Sequence, residues 1–167
     1  MITPNMLTSI RLGLVPPLIF SYLFLGGRGE TIALFIFIVS AVTDVLDGYI
    51  ARKYNMITKL GTVLDPLADK LMLVSVLTIL SLSDKISFWI LLIMALKELL
   101  MVLGAYTLYN NGDVVIPANI YGKISTLLFY ISGISLMLDL PIGSLVMNIF
   151  VVLNLISLAV YFYHFVS

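Results

Sequence analysis

Six apolar runs, each long enough to cross a bilayer, constrain this chain more than anything else in it. Read between polar punctuation they cover residues 6–25, 31–51, 62–82, 86–108, 120–138 and 142–165. About 20 apolar residues in a helix span the roughly 30 Å of hydrocarbon. Inside lipid a helix satisfies every backbone hydrogen bond within its own segment. The breaks are "GGRGE", "RKYNMITK", "LSDK", "NNGD" and "DLP", all rich in turn formers or charge. With 61% hydrophobic residues in 167, almost nothing is left over for a soluble part. The expected fold is therefore all-α: one polytopic integral membrane domain over residues 1–167, with six transmembrane helices.

The first run does not read as a cleaved signal. "MITPN" lacks a basic start, and no small-residue cleavage site follows the run. Thr3-Pro4 instead predicts a helix start, with the hydroxyl as N-cap and proline at the first helical position. The absence of cysteine excludes disulfides, thiolate metal ligands and thiol nucleophiles. A net charge of zero argues against nucleic acid as a partner. Arg11, Arg52, Lys53, Lys59, Lys70 and Lys123 fall on one side of the predicted spans, and only Arg28 and Lys85 on the other. That bias predicts both termini on the cytoplasmic side.

Against this background, "DVLDGYIARKYNMITKLGTVLDPLAD" (44–69) is anomalous, with four aspartates, an arginine and two lysines. Asp44 and Asp47 are three apart at the end of the second run. Asp65 and Asp69 are four apart at the start of the third, so each pair shares a helix face. A short hairpin between the runs allows the two pairs to face each other near the cytoplasmic surface. By insertion scales a carboxylate at mid-membrane costs about 2.5–3.5 kcal/mol, and less near the interface. Like charges so placed also need something positive among them. The donors are all oxygen, which suits Mg²⁺ or Mn²⁺, and two such ions on four carboxylates would form a clamp for displacement at phosphorus. The plainer alternative has the aspartates capping helix ends and pairing with Arg52, Lys53, Lys59 and Lys70.

The stretch resembles the signature of the CDP-alcohol phosphotransferase family, D-x2-D-G-x2-A-R-x8-G-x3-D-x3-D. Asp44, Asp47, Gly48, Ala51, Arg52, Gly61, Asp65 and Asp69 fill every fixed position, and the six-run layout extends the likeness along the whole chain. The resemblance implies a dinuclear Mg²⁺ or Mn²⁺ site on the four aspartates, with Asp69 doubling as general base. It implies CDP-diacylglycerol as donor, an alcohol acceptor, a cytoplasm-facing cavity open to the lipid bilayer, and a homodimer. Gly48, Ala51 and Gly61 would let a nucleotide approach the backbone, although small residues also serve helix packing in membranes. Arg52 offers a forked donor to a diphosphate. The opening "PNMLTSIR" sets Asn5, Thr8 and Arg11 three apart and resembles the family's nucleotide-holding N-terminal stretch. Taken by itself, Thr8 could bond its own helix and Arg11 could be an interfacial anchor.

Lys97-Glu98 interrupts the fourth run, and interior charges in a spanning helix are functional candidates. Lys123 opens the fifth. Both resemble acceptor-pocket positions of phosphatidylglycerophosphate synthases, with departures at Lys97 itself, Ala105 and Ser125. A phosphate-bearing acceptor, glycerol 3-phosphate, is therefore expected. The alternatives are phosphatidylglycerol, as in a cardiolipin synthase, and an inositol-phosphate or serine acceptor. An intramembrane prenyltransferase would spread its aspartates over well-separated helices, and a divalent-cation transporter over two repeats. Asp84, Lys85, Glu30, Arg28 and Asp113 read as loop charges, and Trp89, Tyr161, Tyr163 and His164 as interfacial residues.

Overall fold

Apolar runs of this length, punctuated by glycine, proline and charge, form six helices among the described residues of the structure, a computed structural model. It describes residues 4–54, 59–111 and 120–166, without the side chains of 4, 5, 7, 47–54, 59–64, 105–111, 120, 121, 123 and 162–166. The elements are α1 (Pro4–Phe24), α2 (Gly27–Tyr54), α3 (Lys59–Leu82), α4 (Phe88–Asn111), α5 (Ile120–Met137) and α6 (Ile142–Val166). Stretches of α2 (Gly27–Leu46) and α6 (Ile142–Tyr161) are long and apolar enough to cross a membrane. Large apolar side chains face outward: Phe24, Phe35, Val45 and Trp89 are each about two-thirds exposed, whereas Thr8, Arg11, Ser40 and Ser132 are buried. That inversion of the usual soluble pattern suits a hydrocarbon surrounding. Hydroxyls inside the helices mostly donate to their own backbone: Ser21 to Leu18, Thr43 to Ser40, Ser75 to Leu71 and Thr78 to Val74.

The chain gathers into two units, Met1–Leu82 and Ser83–Ser167. In the first, α1 packs against both α2 and α3. Its buried centre is Leu18, Ala33, Phe37, Ala68, Met72, Val76, Leu77 and Leu80. The α1–α2 turn is tighter than "GGRGE" predicts. Gly26 takes a left-handed φ of 59°, which glycine adopts without steric cost, and the Gly29 N–H donates to the Gly26 carbonyl at 2.8 Å. Between α1 and α2 only Leu25 and Gly26 lie outside helices, so Arg28 and Glu30 are helical rather than loop charges. Glu30 sits in the first turn of α2, where the helix dipole favours it. A Cβ on Gly29 would stand 2.1 Å from the Ser21 carbonyl oxygen, so the two helices touch backbone to backbone. Further along α1, Pro16 and Pro17 lie inside the helix, as Pro66 does in α3.

In the second unit α5 and α6 form an antiparallel hairpin, and α4 packs on α6. The hairpin register is fixed by Leu136 against Gly143, Ser132 Oγ against Met147 Sδ at 4.0 Å, and Phe129 against Phe150 with ring centroids 5.6 Å apart. Its turn closes as a Schellman motif. Asp139 occupies the left-handed position with φ 55°. The Asp139 N–H donates to the Leu136 carbonyl at 3.1 Å, and the Leu140 N–H to the Ser135 carbonyl at 2.8 Å. Lys85 pairs with the Asp139 carboxylate at 2.9 Å and donates to the Met137 carbonyl at 3.4 Å, placing positive charge at the C-terminal end of α5. The Tyr161 ring packs on α4, where a Cβ on Gly104 would stand 3.2 Å from it.

Candidate active site

Three helices bring the site together, and the short one-sided spacings in the sequence explain how. Thr8 and Arg11 lie one turn apart on α1, and both are buried. Asp44 sits in the C-terminal half of α2, and Asp65 and Asp69 one turn apart on α3. The Thr8 hydroxyl donates to Asp65 Oδ1. Arg11 Nη1 donates to Asp69 Oδ1 and stands 2.8 Å from Asp44 Oδ1. One guanidinium nitrogen thus bridges carboxylates from two different helices. The sequence predicts the aspartate pairs facing each other across a hairpin; in the structure α1 is the element packed against both α2 and α3, and its arginine joins them.

Charge-assisted bonds of this kind are about twice as strong as neutral ones. Burying a guanidinium is tolerable here because carboxylates meet it. The carboxylates are not sealed in: the Asp44 and Asp69 side chains keep 26% and 42% of their surface, which leaves oxygen lone pairs accessible to an incoming ligand. Asp44, Asp65 and Asp69 also lie close enough to feel one another's charge. Among the described contacts, three carboxylates meet Thr8 and the one guanidinium of Arg11.

Asp47, Gly48, Ala51 and Arg52 lie in α2, Gly61 in α3, Asn5 in α1 and Lys123 in α5, but their side chains fall outside the described residues, as does Asp113. Lys97 is described within the second unit. It is buried, and its Nζ pairs with its neighbour Glu98 at 2.7 Å.

Among the described residues no three carboxylate or imidazole groups close on one point, and Asp47 is not among them. The donor set nonetheless fits a hard divalent cation. It is all oxygen, and among the described residues Asp44 and Asp69 already present oxygens to one positively charged nitrogen.

One buried polar residue, Asn154, was not singled out by the sequence. The α5–α6 register sets Ser125 opposite Asn154, both are buried, and Ser125 Oγ and Asn154 Oδ1 have no hydrogen-bond partner among the described residues. An amide in the middle of so apolar a run is the signal that could have pointed to it.

Comparison with known proteins follows the same line. A family model described as CDP-alcohol phosphatidyltransferase matches residues 1–162. The chain is 35% identical over 135 residues to a CDP-diacylglycerol–glycerol-3-phosphate 3-phosphatidyltransferase of Bacillus subtilis, covering 74% of this chain and 69% of that one. A protein of the same name from Rickettsia bellii is 36% identical over 126 residues, covering 75% and 68%. A Mycobacterium tuberculosis protein provisionally named a cardiolipin synthase is 34% identical over 128 residues. That match takes in 77% of this chain but only 60% of the mycobacterial one. With eight signature residues in register and a match along nearly its whole length, the chain belongs to the CDP-alcohol phosphatidyltransferase family.

Proposed function

We propose that this chain transfers a phosphatidyl group from CDP-diacylglycerol to glycerol 3-phosphate, releasing CMP and forming phosphatidylglycerophosphate. The observation that carries the reading is the gathering of signature aspartates from α2 and α3 onto Thr8 and Arg11 of α1. Asp44, Asp47, Asp65 and Asp69 would hold two Mg²⁺ or Mn²⁺ ions, which supply positive charge to the diphosphate and to the departing CMP. Asp69 accepts the proton of the acceptor hydroxyl. The hydroxyl oxygen bonds to the phosphorus linked to diacylglycerol, and the bond from that phosphorus to the bridging oxygen breaks, so the bridging oxygen leaves with CMP. Arg52 and Arg11 hold the diphosphate oxygens, and Asn5, Thr8, Gly48, Ala51 and Gly61 seat the nucleotide. Lys97 and Lys123 would supply positive charge to the acceptor phosphate. In this reading all six helices cross a plasma membrane of bacterial type. Both termini and the cavity are cytoplasmic, the cavity opens sideways to lipid, and two copies pair as a homodimer.

A second reading has phosphatidylglycerol as acceptor, giving cardiolipin. It is favoured by the pairing of Lys97 with Glu98, which leaves less positive charge for a dianionic phosphate, and by the mycobacterial relative's name. Purified protein offered CDP-diacylglycerol with each acceptor separately, with the lipid product identified by mass, decides between them. Product from glycerol 3-phosphate is expected. Turnover with phosphatidylglycerol alone would replace the first reading by the second.

A further inference from the structure

The contacts of Arg11 go beyond the seating of a nucleotide. Its guanidinium is buried, and a single nitrogen of it meets Asp44 Oδ1 of α2 and Asp69 Oδ1 of α3. Those oxygens belong to the residues that would hold the divalent ions in the reading above, on which this inference rests. Two cations drawn to one pair of carboxylates repel each other, so the guanidinium and a divalent ion each weaken the other's hold on Asp44 and Asp69. We propose that Arg11 is an internal counter-cation of the aspartate cluster: it competes with a divalent ion for Asp44 and Asp69, and it is displaced from them when the ion binds. A displaced guanidinium remains tethered one helix turn from Thr8 and free to meet the phosphate oxygens that arrive with the donor. Metal entry and diphosphate capture would then be coupled through one side chain.

Mn²⁺ binding to purified, chelator-stripped protein without nucleotide, followed by the electron-spin signal of free Mn²⁺, tests the competition directly. Arg11→Met keeps most of the stem and removes the charge, and should bind Mn²⁺ at least tenfold more tightly than the unsubstituted protein. Arg11→Lys keeps the charge and should stay within about threefold of it. Equal affinity in the unsubstituted and Arg11→Met proteins, or weaker binding in the latter, overturns the competition while leaving the metal site standing. Equal tightening in both variants overturns it as well, because charge would not be the cause. Binding in neither protein overturns the metal reading itself. The unsubstituted protein supplies an independent readout should Arg11→Met not fold. Mn²⁺ should speed phenylglyoxal labelling of Arg11, read by peptide mass, and protection or no change would refute displacement.

Discussion

Gly29→Ala should loosen the α1–α2 hairpin, and the size of the effect follows from one distance. The added Cβ would lie 2.1 Å from the Ser21 carbonyl oxygen and 3.0 Å from the Ser21 carbonyl carbon. Close carbon–oxygen contacts in proteins settle near 3.3–3.6 Å, so the helices must separate by roughly 1 Å. The obstacle is backbone, so no rotamer change relieves it. Forcing extra volume into a packed contact costs about 1–3 kcal/mol. Against this, alanine restores up to about 1 kcal/mol of helix propensity. The net expectation is a loss of about 1–2 kcal/mol. Gly13→Ala is the control: it lies on the partner helix α1, and its Cβ would meet nothing within 4 Å, so it should be neutral or stabilising. Unfolding by SDS titration in mixed micelles, followed by near-ultraviolet circular dichroism, gives the comparison. If Gly29→Ala proves as stable as the unsubstituted protein, or the two variants shift alike, close backbone packing is not what glycine secures at that turn.

The remaining predictions concern chemistry. Asp44→Asn, Asp47→Asn and Asp65→Asn should each abolish CMP release from folded protein; EDTA should stop the reaction and Mg²⁺ or Mn²⁺ restore it, and near-normal turnover in any variant would refute the metal arrangement. Asp69→Asn should still bind CDP-diacylglycerol but transfer it about 10²–10⁴ times more slowly, and a loss under tenfold would move the base elsewhere. Lys97→Ala and Lys123→Ala should raise the acceptor KM far more than that of the nucleotide lipid. The opposite pattern would take both lysines out of the acceptor pocket.

Helix positions were legible because lipid imposes one simple rule on the sequence. The run read as 62–82 forms α3 (Lys59–Leu82), and that read as 142–165 forms α6 (Ile142–Val166). The ends differ where local geometry overrides hydropathy: "GGRGE" looks like a loop by composition, yet Gly26 turns the chain within two residues and α2 begins at Gly27. Spacing also brought out Asp44, Asp65 and Asp69, since helix periodicity predicts which carboxylates share a face. What joins them was not legible. Thr8 reads equally well as a hydroxyl bonded to its own helix, and only the packing of α1 against α3 gives it Asp65 as a partner. Asp139 gave no signal either, because its left-handed backbone and its bond to Lys85 depend on a turn closed through tertiary contacts.

Pro16 and Pro17 give α1 a mechanical character. Two successive prolines withhold two amide protons, so the carbonyls of Leu12 and Gly13 lose their i+4 donors. The ladder is thinnest there, and bending is cheapest at such a point. Beyond the prolines the helix is pinned to α2 at Ser21 and Gly29. Ahead of them it carries Thr8 and Arg11 on a lever arm. Thr8 is eight residues from Pro16, or roughly 12 Å of helix, so a tilt of about 10° swings it through roughly 2 Å. That stroke is comparable to the length of a hydrogen bond, and it moves the α1 contacts of Asp65 and Asp69 while the pinned end of the helix stays still.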